Sequence, residues 1–387
     1  MDKSRTMTCM ANACTDRLSS APRDLRSGAT YARARLRLGI ASVGTLVVLG
    51  AGLLALGVPD SVLPDSTSWA FTDVAWLALL VGLYGALSAP FDLLGGLILP
   101  RRYGRPVAAE KFLRAWARGV AAHGSCLLAV ALVLLAAGRA GGDGAVLAAA
   151  LVLVVVLLVL QVSLAELVGG VRRDGDRLRA PDPSFVGGIV GLPGRDRVML
   201  SAAWDEQAAR VQRVRREAVR RSGARALGIV VAALFDLAGL AVVLFATSAS
   251  ATSVAGIATV SLWTTLWSFL GLLVLPSLAR RAVVAADRSA VSSGIDPRDL
   301  TRVLETLDAE QEDEPRRGRL VETIFHPVPS LERRIAALAS EGGPELPQPW
   351  NTARAALFLS WASLGLLSRA VHCNCGRPAL WVLFPGD

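Results

Sequence analysis

Arg216-Glu217-Ala218-Val219-Arg220 sets one carboxylate between two guanidinium groups that stand four residues apart. On a helix, positions i and i+4 share a face, so both cations would lie on one stripe. A guanidinium presents five donors, has no free lone pair and stays charged at any physiological pH. Such a stripe recognises carboxylate, often through two parallel hydrogen bonds, and cannot ligate a cation. A second reading treats the stripe as a membrane-surface feature. Seven arginines lie between Arg210 and Arg225, directly before an apolar run. Arginines so placed snorkel or touch anionic headgroups, each contact contributing about 1 kcal/mol near the surface.

Other residue types with chemical capacity are few. Asp236 lies inside an apolar run, where an acid is a functional candidate by default, although a polar residue facing the bundle or paired with another helix explains it better. Asp92 and Glu166 fall near span ends, where carboxylates reach water. The chain holds three histidines, His123, His326 and His372. His326, followed by Pro327, is read as an orienting hydrogen-bonder, and His123 as a helix-contact residue. The five cysteines (Cys9, Cys14, Cys126, Cys373, Cys375) form no regular framework, so structural disulfides are not expected.

The elements that must carry these residues are membrane helices. Of 387 residues 53% are hydrophobic and only 19% charged, and mean hydropathy is +0.47. A water-soluble domain carries roughly a quarter charged residues. Six apolar runs are near or above the ~20 residues needed to span a bilayer: Leu38–Val58, Val74–Leu99, Gly119–Ala137, Ala145–Val168, Ala226–Ala246 and Val254–Leu275. A seventh run, Ala355–Leu367, is short enough to be either a span or an interfacial helix. Of the 41 Lys and Arg, 38 fall in residues 1–37, 100–118, 170–225 and 279–354, all on one side of the alternating spans. The positive-inside rule makes that side, and the N-terminus, cytoplasmic. The net charge of +9 is therefore a topology signal, and no nucleic-acid partner is expected. The first polar stretch holds two short β-type runs around Pro193-Gly194, then a helix from about Asp205. The second continues the sixth span as a helix to Ala290, breaks at Gly294-Ile295-Asp296-Pro297, and opens a last helix after Ser330.

In this order the pieces resemble the membrane-bound CAAX prenyl endopeptidase family of zinc metallopeptidases. The resemblance rests on four patches: Ala89-Pro90-Phe91-Asp92-Leu93 with Arg101-Arg102-Tyr103-Gly104; Gly191-Leu192-Pro193-Gly194 through Trp204; Arg280-Arg281 through Ala286, Asp287 and Ala290; and His326-Pro327 with Leu331-Glu332-Arg333-Arg334-Ile335. Family members carry H-E-x-x-H, whose two imidazoles hold zinc while the glutamate activates bound water. Here the corresponding stretch is read as Arg216 to Arg220, with Glu217 kept at the general-base position and arginine at both histidine positions. The family's third ligand is a glutamate four residues before the aspartate, and Val283 stands there before Asp287. Arginine and valine offer no donor to zinc. One fixed guanidinium about 4 Å from a dication would also repel it by roughly 8 kcal/mol at an effective dielectric of 20.

The resemblance implies an all-α polytopic membrane protein of six or seven spans, with a small, mainly α cytoplasmic gluzincin-like domain carrying a short β-hairpin. The expected division is 1–37 cytoplasmic basic arm, 38–169 four-helix membrane region, 170–225 cytoplasmic peptidase-like segment, 226–277 two membrane helices, 278–340 second cytoplasmic peptidase-like segment, and 341–387 a linker with a seventh helix that either spans the membrane or lies at its interface. The expected function is a pseudopeptidase serving as membrane scaffold or regulator, without cofactor. The alternatives are an active zinc endopeptidase with displaced ligands and a transporter or sensor component built around Asp236. Expected partners are membrane lipids and a peptide or membrane protein, and the expected location is a bacterial inner membrane.

Overall fold

The computed structural model describes residues 30–181, 185, 187–247, 249–311, 317–340 and 348–377. Cys9, Cys14, most of the basic arm and the end of the acidic stretch after Pro297 lie outside the described residues. Five helices are long and apolar enough to cross a membrane. They are α1 (Tyr31–Ala55), α3 (Phe71–Arg102), α4 (Ala109–Gly169), α6 (Ala224–Ala246) and α7 (Val254–Ser292), and a five-residue helix α2 (Val58–Val62) follows α1.

Two expected spans are merged in α4, whose 61 residues would reach about 90 Å if straight, three times a bilayer core. Gly141 (φ −151°, ψ 15°) and Gly142 (φ 64°, ψ −157°) leave helical geometry and divide it into two arms. The contacts of α4 fix the sense of the break. Arg139, just before it, donates to Thr252 O at 2.9 Å, to Ser66 O at 2.9 Å and to Asp73 Oδ2 at 2.9 Å. Ser253 Oγ in turn donates to Asp65 at 2.7 Å. The three short connections, after α2, within α4 and before α7, are thus laced together at one end of the bundle. The outer ends of α4 lie at the other end, where Trp116 meets Asp92 and Gln161 meets the sheet. The two arms of α4 are each long enough to span a bilayer, so the five helices hold six span-length segments.

Pro90 interrupts α3, and a wide π turn, Leu94–Ile98, follows it. Gly95 and Gly96 in that turn are required by close approach. A Cβ on Gly96 would sit 2.5 Å from Gly376 O, and one on Gly95 would sit 2.9 Å from Cys375 O.

The polar segment after α4 forms a four-stranded sheet of order β1-β2-β4-β3 from β1 (Arg172–Asp174), β2 (Arg177–Ala180), β3 (Gly188–Val190) and β4 (Arg197–Ser201). The expected hairpin is β3–β4, antiparallel with Ile189 opposite Val198. A β1–β2 hairpin joins it through a parallel β2–β4 pairing. Arg225 ties the sheet to the base of α6, donating to Ile189 O at 3.3 Å, Gly191 O at 2.6 Å and Asp196 Oδ2 at 3.0 Å. Helices α5 (Glu206–Arg221), α8 (Pro297–Gln311), α9 (Arg319–Phe325) and α10 (Leu331–Ala339) complete this part.

The seventh apolar run is neither span nor surface helix. It is α11 (Thr352–Leu359) followed by two 3-10 turns, Ser360–Ser363 and Leu367–Arg369, buried among the spans. Trp361 and Leu359 are fully buried. Irregular backbone survives at membrane depth only where protein satisfies it. Span hydroxyls do so: Thr264 donates to Ser363 O, Ser261 to Leu364 O and Tyr84 to Leu366 O, each at 2.8 Å. Asp92 also departs from expectation. It is 1% exposed, and it accepts from Arg369, from Trp116 Nε1 at 3.0 Å and from Gly376 N at 3.0 Å.

Candidate functional site

Helix α5 starts where Asp205 accepts from Ala208 N at 2.7 Å, a side-chain cap on an orphan donor. Its inward stripe is Ala208, Val211, Gln212, Arg215 and Val219, spaced by three and four, with Arg216 alongside. This stripe packs against α7, which carries Val283 and, one turn later, Asp287.

Asp287 is the centre of the site and is fully buried. Arg215 Nε donates to its Oδ1 at 2.7 Å. From α10, Arg334 donates through Nε to Oδ2 and through Nη2 to Oδ1, both at 2.8 Å, the bidentate geometry that suits guanidinium and carboxylate. Gln212 Oε1 accepts from Arg215 Nη1 at 2.7 Å. Burial alone pushes the Asp287 carboxyl up, and the two guanidiniums reverse this, holding it below the ordinary aspartate value. Arg216 is 1% exposed, with its guanidinium 5.5 Å from the centre of the Trp204 ring, a cation–π contact. Val283 is 2% exposed beside them.

The sequence stripe is therefore turned by one position. Glu217 and Arg220 pair with each other at 2.8 Å, and Glu217 also meets Arg221 at 3.9 Å. Their side chains are 22% and 41% exposed, so they face away from Asp287. Of the two expected arginines, Arg216 is inside and Arg220 is outside. Arg215 and Arg334 are the partners that were missed. The signal for Arg215 was available: extending the helical stripe from Val211 and Val219 puts 215 inward and 220 outward.

His326 closes α9, 8% exposed, with its ring 5.2 Å from that of His372. Burial first, then Arg317 and Arg354, push its imidazole down to about 3. Glu322, also on α9, is fully buried and accepts from Arg333 at 2.8 Å. Asp236 stands apart from this site, buried in α6. His123 stacks on Trp361 with ring centres 4.3 Å apart.

Among the described residues no group of three or more His, Cys, Asp or Glu could hold a metal ion. The residues around Asp287 do not fit zinc either. Arg215, Arg216 and Val219 supply no lone pair, and Asp287 already has both oxygens engaged by guanidinium.

No family model and no curated protein matches the sequence. In fold the chain is similar to the crystal structure of S. mikatae Ste24p. The match has a TM-score of 0.58 at 12% identity and covers 70% of this chain and 76% of that one. That likeness is one of fold: membrane helices with a small sheet and helical segments folded against them.

Proposed function

We propose that this chain is a metallopeptidase-like membrane protein in which an ion-pair network has replaced the metal centre, and that it acts as a scaffold or regulator. The fold likeness to Ste24p and the ordered sequence patches support a place beside the membrane-bound CAAX prenyl endopeptidases. In that frame the inward residues Arg215, Arg216 and Val219 occupy the H-E-x-x-H register, one residue before the stretch read from sequence, and Val283 occupies the third-ligand position. The observation that carries the reading is the Arg215–Asp287–Arg334 network. In a zinc site an aspartate so placed would orient a ligating imidazole. Here it holds two arginines and locks α5, α7 and α10 together. Glu217, expected as general base, pairs with Arg220 on the partly exposed side of α5, away from Asp287. A charged network of this kind keeps the helices packed around the site while supplying no group that hydrolyses a peptide.

The test is zinc content and proteolysis of the purified full chain. Far less than one zinc per chain and no chelator-sensitive cleavage of peptide substrates is the expected result. Zinc at about one per chain, lost together with peptidase activity on chelation, overturns the reading in favour of an active endopeptidase.

A further inference from the structure

Between α3 and the first arm of α4 lies a cavity of about 320 Å³, within the range of small-ligand pockets. Its walls are small and apolar, with Gly82, Gly85, Ala86 and Ala89 on α3 facing Val120 and Gly124 on α4. Gly82 and Ala86 are exposed, and Leu83 between them is 56% exposed, so the cavity opens sideways on a membrane-facing flank of the bundle. Its floor is polar and consists of Tyr84, Trp116, His123 and Arg369.

The floor has hydrogen-bonding capacity that the protein does not use. His123 is 3% exposed and neither of its ring nitrogens has a partner, and Arg369 is 2% exposed with Nε unpaired. At membrane depth bulk water does not serve such groups, and each buried polar atom left unmatched costs free energy. Tyr84 bridges the two, edge-on to His123 with ring centres 5.8 Å apart and with the Arg369 guanidinium 5.7 Å from its own centre. Charge then narrows the ligand. Arg369 is already paired with Asp92, which also accepts from Trp116 Nε1 and from Gly376 N. A further ion at this depth would lack a counter-charge, so the floor suits a neutral molecule. Neutral imidazole donates through one nitrogen, and the guanidinium Nε donates as well, so the group that satisfies both is an acceptor oxygen. The wall supplies the space for the rest of the molecule. A Cβ built on Gly82 meets nothing within 4 Å.

We propose that this cavity binds a neutral, membrane-soluble molecule through a carbonyl oxygen, which accepts from His123 and Arg369 while the apolar body lies between α3 and α4. A quinone ring and the ester carbonyl of a glycerolipid both present that oxygen. The inference stands without the reading of the Asp287 network, since none of the residues that line the cavity belongs to it.

The experiment uses the full chain in detergent and follows saturable binding of a radiolabelled alkylbenzoquinone and, separately, of a radiolabelled short-chain diacylglycerol. Each unlabelled compound and an n-alkane matched in length are the competitors. His123→Phe keeps a ring stacked on Trp361 and removes both nitrogens, while Gly82→Leu fills the cavity from a position with room for a side chain. Gly44→Leu, on α1 with nothing within 4 Å and outside the cavity, is the control for an added apolar side chain. Loss of the imidazole hydrogen bond, or of the space, should weaken the bound compound roughly tenfold, and the control should stay within about twofold. Unfolding midpoints at or above the parent's verify that the variants fold, since His123→Phe removes unpaired polar atoms. Tighter binding of the quinone than of the diacylglycerol assigns the site to a quinone, and the reverse assigns it to a lipid ester, the carbonyl being recognised in either case. Competition by the alkane as strong as by the carbonyl compounds overturns the proposal. Parent-like binding by His123→Phe, equal weakening in Gly44→Leu, or no saturable binding of either carbonyl compound overturns it as well. Zinc content is unaffected by any of these outcomes, so this test and that of the pseudopeptidase reading fail separately.

Discussion

At the scale of residues, the distinction between buried and exposed arginine decides which charges matter. Asp287 sits fully buried between Arg215 and Arg334, whereas Glu217 and Arg220 meet at a half-exposed surface. Removing one member of a buried charge network leaves the others unpaired in low dielectric and typically costs 3–5 kcal/mol. Asp287→Ala should therefore lower stability by about 4 kcal/mol, while Arg220→Ala should change it by about 1 kcal/mol or less. Unfolding midpoints in one detergent check both, and equal effects would contradict the assigned faces of α5. His326 gives a second prediction. Its folded-state imidazole protonates only near 3, while an unfolded histidine protonates near 6.5. Between those values the unfolded state binds more protons, so this group's contribution to stability falls as pH drops. Going from pH 7 to pH 5 should remove about 2 kcal/mol through His326 alone. His326→Gln should flatten the pH dependence of the unfolding midpoint by that amount. A parallel slope in the variant would show that the imidazole is accessible to protons in the folded state.

At the scale of elements, legibility depended on how local the determining interactions are. Hydropathy and length located all six span-length helical segments, because a run of ~20 apolar residues marks a candidate span without reference to anything else. The Pro193-Gly194 turn marked the β3–β4 hairpin for the same reason, and Gly194 there has φ 86°. The β1–β2 hairpin was not legible. Its strands are only three and four residues long and arginine-rich, and their pairing depends on β4, some twenty residues later. The segment after α11 was misread because its backbone is stabilised by hydroxyls far away in sequence. Ser261, Thr264 and Thr265 face it from α7 and Tyr84 from α3, and none of these is recognisable as a partner until the spans are packed. That dependence can be measured. Tyr84→Phe removes one donor and leaves Leu366 O buried without it, which should cost about 1–3 kcal/mol. If the segment instead crossed the bilayer or lay at its surface, the same substitution would be close to neutral in thermal unfolding.

At the scale of the whole molecule, the frame and the chemistry have separate determinants, which is why a recognisable fold accompanies an unfamiliar site. The bundle is fixed by apolar spans and by three connections laced through Arg139, and neither depends on what stands at positions 215 to 219. This independence makes the site testable by reconstruction. In the proposed register, Arg215→His, Arg216→Glu, Val219→His and Val283→Glu place two imidazoles at i and i+4 on the inward stripe of α5 and a carboxylate opposite on α7. Asp287 would remain to accept from the first imidazole, with Arg334 still holding it from α10. The fourfold variant should bind about one zinc per chain and gain stability when zinc is added. The register taken from sequence alone, Arg216→His, Arg220→His and Val283→Glu, should not, because position 220 faces away from Asp287 at a half-exposed surface. Zinc uptake by the second variant and not the first would mean that α5 is rotated from the orientation described, and the proposal that the ion-pair network replaced a metal centre would fail.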